Sequence, residues 1–582
     1  MPNEIQTEAP AKAASIAEML RENTPDIDCT MTRTIRTYNL AIENRLTANR
    51  NRLVMLGLFG LLAVVHSWPL AGDLAHLSRL DNDDAALNTW IIAWTAHILP
   101  LAPWRLFEAP IFYPELHTLA YADHMFVPSV MGAPLLWAGA SPVLVHNVLI
   151  IAGLGLSGFA MCLVMTRWTG SRSAGVIAGL LYGFNAHVLM RFPHLQAQHA
   201  EFFPLMLYAM DRVLVRNAPR DRWLLAITFT LQSLCSNYLL VFSTFALVIA
   251  AAVRWNEWLP RNRRPTLASL GLAGVAGTLA VAPLLWPYYQ VRTGQGLVRS
   301  LDEVARYSAR WQDYLGTGAR VHYEWWSHAF VNGNAALFPG VIGVLLAAVA
   351  VASGIAWRDR RARMATAFGV VGVCFSFGPA FPGYAFLHTH LPLLTSMRAA
   401  ARWGWLGLAA VAILGGFGAA VIERQGWLAR WRRPVMVLLV LLVTAEALRA
   451  PVGFTYFSGV PAIYDRLATS SPVVLAEFPF YSGPRANGNG PYVLNNTRYF
   501  GSLLNGYSGF EPQTYAQRAR QLETFPAPEA ITVLKALGVT HVTIHVDAFA
   551  QRSGNAALEA VGARPELQLV ADEGGIRLYR LH

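Results

Sequence analysis

The stretch Asp84-Ala85-Ala86-Leu87-Asn88-Thr89-Trp90 places a carboxylate ahead of an amide and a tryptophan, shortly after the first long apolar run. A carboxylate beside aromatic surface at a membrane boundary suits a general base. It would take the proton from a hydroxyl attacking a sugar carbon. Asp83 is the nearest substitute. The same acids also read as a helix N-cap, because Asp is a favoured cap before a helical pattern. Asp81, Asp83 and Asp84 cannot all do chemistry, so at least one is a cap or a solvated charge.

Asp123-His124 is a second acidic spot among aromatics. No cofactor is required by the pattern; Asp84, Asp123 and His124 are candidate ligands for a divalent cation, Mg²⁺ or Mn²⁺. Their spacing matches no metal signature, and a loop-ordering hydrogen bond is the competing reading. The polar run His194-Leu195-Gln196-Ala197-Gln198-His199 lies between two apolar spans. His194 and Gln196 there are candidates for binding sugar hydroxyls or phosphate, against a plain polar connector. Arg398 and Arg402 flank Ala399-Ala400-Ala401, four residues apart, and so would share one helix face. With Arg191 they run against the charge gradient of the loops. Guanidinium pairs with phosphate oxygens bidentately; the alternative is snorkelling to lipid headgroups.

The elements that must position these groups are membrane spans. Of 582 residues, 54% are hydrophobic and 14% charged, a balance that points away from a soluble domain. Apolar runs fall at roughly 53–69, 143–166, 173–190, 202–215, 223–235, 239–253, 266–287, 336–357, 364–381, 403–422 and 434–450. The net charge of +11 is carried by Arg, with Lys only at Lys12 and Lys535. These Arg cluster in short interspan loops, so topology explains the basic balance and no nucleic-acid partner is implied. Setting the Arg loops inside gives eleven crossings, with the N-terminus in and the C-terminus out. All 16 His then fall on the outer side. The assignment needs 223–253 to break at Ser236-Asn237-Tyr238. A broken span is tolerated only where protein or water satisfies its freed backbone.

The fold expected is a polytopic α-helical membrane protein with a small C-terminal α/β domain outside. Residues 1–52 form a cytosolic tail without a cleavable signal, carrying a short helix near Ala11–Arg21. Residues 53–450 form the membrane domain, with external loops 70–142, 288–335 and 382–402, and 451–582 form the outer domain. Leu87–Leu99 reads as an amphipathic helix, and Val127–Gly139 as interfacial or re-entrant. In the tail, Val473–Phe478 and Val539–His545 read as strands and Glu529–Leu537 as a helix. Gln568–Ala571 and Ile576–Leu581 form a hairpin about Glu573-Gly574-Gly575. The four Cys are scattered, with no disulfide framework and no CxxC pair.

Several of these residues recur together in a known arrangement. Asp84…Asn88-Thr89-Trp90…Trp94, Ile111-Phe112-Tyr113-Pro114, Leu119-Ala120-Tyr121-Ala122-Asp123-His124 and His194-Leu195-Gln196 before Phe203-Pro204-Leu205 resemble bacterial GT-C membrane glycosyltransferases. The similarity lies nearest the YfhO-like and dolichyl-phosphate-mannose-mannosyltransferase-like groups. Leu504-Asn505-Gly506-Tyr507-Ser508-Gly509-Phe510, Phe525-Pro526 and Leu537-Gly538-Val539 look like the same branch, so the resemblance runs over about 53–545. It implies a polyprenyl-phosphate sugar donor, inverting transfer and an external-loop carboxylate base that maps onto Asp84. The family's strict Asp-Glu pair is missing here.

The expectation is a glycosyltransferase of the bacterial inner membrane acting on an envelope glycan, lipid or protein. A lipid or polysaccharide transporter or flippase would carry mid-span charges and inverted repeats; Glu446 is the main such charge. A non-catalytic envelope-assembly scaffold is the third class.

Overall fold

The computed structural model describes residues 49–260, 264–331, 335–469 and 472–582. Most of the expected tail, with its short helix at Ala11–Arg21, lies outside the described residues. The chain divides into two units, Met1–Leu58 and Phe59–His582. In the first, the described residues 49–58 are helical.

In the second unit the helices used below are α1 (Asp83–Ile98), α2 (Phe126–Trp137), α3 (Pro142–Thr169), α4 (Arg172–Gly183), α5 (Phe202–Val215) and α6 (Pro219–Ser233). They continue with α7 (Asn237–Val253), α8 (Arg264–Gln295), α9 (Val341–Ala352), α10 (Arg360–Ser376), α11 (Gly404–Glu423) and α12 (Arg432–Ala447). Among the described residues, three stretches are long and apolar enough to cross a bilayer: Pro142–Thr169, Arg264–Gln295 and Ala400–Glu423. Several expected spans are shorter or interrupted. The run 173–190 stops at Gly183 and resumes for one turn at Ala186–Leu189, after Asn185 caps that turn through its side chain. The run 336–357 yields α9, which follows Gly340 (φ +84°), and after Gly354 (φ +75°) one separate turn at Ile355–Arg358. The break between α6 and α7 falls where expected, with Ser236 extended and capping Tyr238 N.

α11 is buried on nearly every side and packs against α4, α9 and α10. A helix apolar all round belongs in an interior. α3 and α4 meet through small residues: a Cβ on Gly183 would stand 2.8 Å from Gly158 Cα. Such contacts let backbones approach where lipid supplies no hydrophobic drive. α8 instead leaves large apolar side chains such as Leu267, Val275, Leu279 and Trp286 exposed, as a lipid-facing helix does.

α1 is not amphipathic as expected. From Ala85 to Ile98 only His97 escapes full burial, because α2, α3 and a C-terminal helix α13 (Gly490–Asn495) all pack on it. Glu446, read from sequence as a mid-span charge, lies at the C-terminal end of α12. Its carboxylate accepts from Val341 N and Ile342 N at the start of α9, and from His322 Nε2 at 2.9 Å. It satisfies donors that a helix N-terminus leaves open, which removes the main span charge favouring a transporter.

The C-terminal segment carries a five-stranded sheet. With β1 (Leu77–Ser78) and β2 (Thr455–Tyr456) as a separate two-stranded tie, the strands are β3 (Val474–Phe478), β4 (Ser502–Leu503), β5 (His541–His545), β6 (Leu567–Glu573) and β7 (Ile576–Leu581). Their order is β4-β3-β5-β7-β6; β3 runs parallel to β4 and β5, and β7 antiparallel to β5 and β6. The β6–β7 hairpin turns at Gly574-Gly575, both at positive φ, the conformation tight hairpins favour. The helix expected at Glu529–Leu537 is Pro528–Ala536. Edge strand β4 pairs with loop backbone at 110–113: Leu503 N donates to Pro110 O at 2.7 Å, Tyr113 N to Leu503 O at 3.0 Å and Phe112 N to Asn505 O at 3.0 Å. The loop after β4, residues 504–510, is thereby delivered to α1.

Candidate active site

The first turn of α1 builds the centre of the site. Asn82, not Asp83 or Asp84, is the N-cap; its side chain accepts from Asp84 N at 3.0 Å. That frees the Asp84 carboxylate. Its Oδ2 lies 3.0 Å from His194 Nε2, and its Oδ1 accepts from Tyr507 OH at 2.8 Å. One turn on, Asn88 donates to Pro193 O at 2.9 Å and Gln196 Oε1 at 3.0 Å. The 191–198 loop is thus held against one face of α1. Gln198, donating to Arg191 O at 2.8 Å, ties its far end.

Burial by itself raises the Asp84 pKa. The His194 hydrogen bond and charge, the Tyr507 hydrogen bond and the Arg402 charge outweigh it, holding the carboxyl well below the usual carboxylate range. Burial pushes His194 down, only partly offset by the bond to Asp84. Across the 3.0 Å contact His194 Nε2–H donates to the carboxylate.

Asp84 opens on a cavity of about 350 Å³, lined also by Asp123, His194, Gln196, Arg398 and Arg402. Six of the nine residues chosen from sequence thus share one space. Arg402 stacks on Tyr238 at 4.3 Å and Arg398 on Tyr307 at 4.7 Å. Neither makes an ion pair among the described residues, and Arg402 Nε is buried without a hydrogen-bond partner. They do not share a helix face: Arg398 precedes a short 3₁₀ turn at Ala400–Trp403, and α11 begins only at Gly404. Arg191 lies off the main cavity, in a recess of about 30 Å³ shared with His187, His194 and Arg402. Burial, reinforced by the Arg402 charge, pushes Arg191 down to about 9.

Two of the nine face elsewhere. Asp83 is turned toward the C-terminal segment. A Cβ on Gly490 would stand 2.7 Å from its Oδ1, and burial raises its pKa against a hydrogen bond from Asn487. His124 uses Nδ1 to accept from Phe126 N at 3.0 Å, packs edge-on against Phe107 and Tyr288, and is pushed by burial down to about 4. Asp123, though at the cavity wall, spends both oxygens on the break before α7: Oδ2 accepts from Ser236 Oγ at 2.7 Å and Oδ1 from Asn237 N at 2.6 Å. This is the loop-ordering role weighed against metal binding. Among the described residues no three His, Cys, Asp or Glu side chains converge. The donor set of Asp84, Asp123 and His124 does not fit a divalent-ion site.

Sequence reasoning passed over Tyr507, which bonds Asp84 from outside the cavity, and Tyr121, Asn237, Tyr288, Arg292 and Arg299, which line it. Tyr507 stood inside a quoted motif, which was the one signal available.

No family model matches this chain, and no curated protein matches it in sequence. Solved structures do. The arabinofuranosyltransferase AftD from Mycobacteria superposes at TM-score 0.59 and 14% identity, covering 91% of this chain and 40% of AftD. An R1389S mutant of AftD superposes at 0.54 and 15%, covering 91% and 41%. ArnT from Cupriavidus metallidurans, bound to undecaprenyl phosphate, aligns at 0.47 and 13%, covering 91% and 97%. This chain spans about two fifths of AftD's length. At these identities the likeness is one of fold: over 91% of its length the chain has the fold seen in AftD.

Proposed function

We propose that this protein is a membrane glycosyltransferase of the bacterial inner membrane. It moves a sugar from a polyprenyl-phosphate donor to an extracytoplasmic acceptor, which is an envelope glycan, lipid or protein. The observation that carries the reading is the shared cavity: an ionised Asp84, held at both oxygens, opens on the same space as Arg398 and Arg402, which have no carboxylate of their own. The orientation is the one Arg placement gives, with eleven crossings, the N-terminus inside and the site outside.

In this reading Asp84 accepts the proton of the acceptor hydroxyl as its oxygen bonds to the sugar's anomeric carbon. The bond from that carbon to the donor phosphate breaks, and the phosphate leaves with the electron pair. Attack from the face opposite the phosphate inverts the anomeric centre. Arg402 and Arg398 stabilise the charge that grows on the leaving phosphate. His194 and Gln196 border both the acid and the recess, and so sit where sugar hydroxyls would lie. No step runs through a metal ion.

The test is Asp84→Asn in membranes supplied with labelled lipid-linked sugar. A lost general base lowers the rate on the order of 10²–10⁴-fold, with binding of a polyprenyl phosphate retained. Near-normal turnover by this variant would overturn the reading.

A further inference from the structure

The C-terminal segment reaches the acid directly. Tyr507 lies 423 positions from Asp84, yet its hydroxyl donates to Asp84 Oδ1 at 2.8 Å. Its loop is fixed on both sides. Gly506 sits on the Phe112 ring, where a Cβ would come within 2.3 Å. Asn489 Nδ2 donates to Gly506 O at 3.0 Å. Beyond Tyr507, Arg299 donates to Gly509 O and Phe510 packs edge-on against Tyr121 at 5.5 Å. Gly509 lines the cavity whereas Tyr507 does not. The tyrosine therefore grips the carboxylate from behind, and His194 grips it from the cavity wall.

We infer that Tyr507 is a positioning residue for the acid: with His194 it fixes the Asp84 carboxylate at two points and turns the remaining lone pairs toward the cavity. A carboxylate has two oxygens and room for about four hydrogen bonds, so two fixed donors leave acceptor capacity for an incoming hydroxyl. Held from one side only, the group would rotate about its Cβ–Cγ bond and spend part of its time misdirected. Preorganisation of this kind is worth much of a catalytic group's effect. The proposal rests on the glycosyl-transfer reading above. It gives the C-terminal segment a place in the active site itself, beyond covering the site or gathering an acceptor.

The experiment compares Tyr507→Phe, Asp84→Asn and the unaltered full chain. Tyr507→Phe removes only the hydroxyl. Titration with a short-chain polyprenyl phosphate should match the unaltered protein, while stability at neutral pH falls modestly, by the bond lost to the ionised acid. Turnover should fall on the order of tenfold, since a lost hydrogen bond to a charged group is about that large. The acid limb of the rate–pH profile should move to higher pH, because one of the bonds stabilising the ionised acid is gone. A purely structural contact would lower stability without moving that limb. Gly506→Ala, which displaces the loop and keeps the hydroxyl, should reproduce the Phe variant. If Tyr507→Phe keeps normal turnover and pH profile while Asp84→Asn is dead, the inference fails and the glycosyltransferase reading stands. If both variants turn over normally, both fail.

Discussion

His194 donates to Asp84 across 3.0 Å, and through that contact an interhelical loop and a helix N-terminus become one site. The same loop carries Arg191 and Gln196, and Asn88 pins it from the next turn of α1. The acid is thus fixed relative to the basic recess before any substrate arrives.

Removing the imidazole should expose that dependence. Asp84 is held below its ordinary value despite burial, first by the His194 bond. A depressed carboxyl contributes stability that is present above the unfolded value, about 3.9, and lost as pH falls through the folded value. His194→Ala should raise the Asp84 pKa, lower stability at neutral pH and move the acid limb of activity upward. His194→Gln keeps a donor and should restore part of both. An unchanged acid limb in the alanine variant would show that the two groups are not coupled.

Arg402 and Arg398 should separate by chemistry as well as by charge. Arg402 sits over the Tyr238 ring and presents a fork that Lys cannot reproduce. Arg402→Lys should weaken polyprenyl-phosphate binding on the order of tenfold or more, about 1.4 kcal/mol or above. Arg398→Ala with Arg402→Ala should nearly abolish it. Losses that are small and equal for Lys and Ala would mean headgroup snorkelling, and would pass the phosphate role to Arg191. Titration of the purified variants in one detergent measures this.

Asp123 should behave as a structural acid. Asp123→Ala leaves Ser236 Oγ and Asn237 N without their acceptor where α7 begins, a cost of about 1–3 kcal/mol. Asp123→Asn keeps an acceptor oxygen and should cost less. Thermal unfolding in detergent reads both. A fall in donor binding with no change in stability would instead mark Asp123 as a ligand.

The gathering of acids, imidazoles and guanidinium groups at one cavity was legible from the expected topology, which puts the Arg-rich short loops on one side and the His and clustered Asp on the other. Which of two adjacent acids faces the cavity was not. Neighbours on a helix point about 100° apart, so Asp83 and Asp84 cannot share a direction, and only packing of Gly490 against Asp83 decides between them. The same holds for Asp123 and His124. α1 looked amphipathic because its polar side is covered by a segment about 400 residues downstream, which local periodicity cannot register. Tyr507 escaped for the same reason. Arg398 and Arg402 were placed on one helix because their spacing of four suits one; the backbone before Gly404 winds as a 3₁₀ turn instead.

Orientation is the remaining prediction, and it rests on Arg placement. Arg220, in the turn entering α6, and Arg485, in the loop beside Asp83, are both exposed. If the Arg-rich loops face the cytoplasm, Arg485→Cys should react with an impermeant thiol reagent in intact cells. Arg220→Cys should react only after the membrane is opened. Native Cys162 and Cys235 are buried and Cys374 is partly so; Cys29 lies outside the described residues, so a Cys29→Ser, Cys374→Ser background is used. Labelling of Arg220→Cys alone would invert the protein and put Asp84 on the cytoplasmic side, where a nucleotide-linked donor becomes the natural substrate. Labelling of both would break the eleven-span assignment between α6 and the C-terminal sheet. Labelling of Arg485→Cys alone keeps the cavity on the outer face, where the phosphate of a lipid-linked donor would enter beside Arg402.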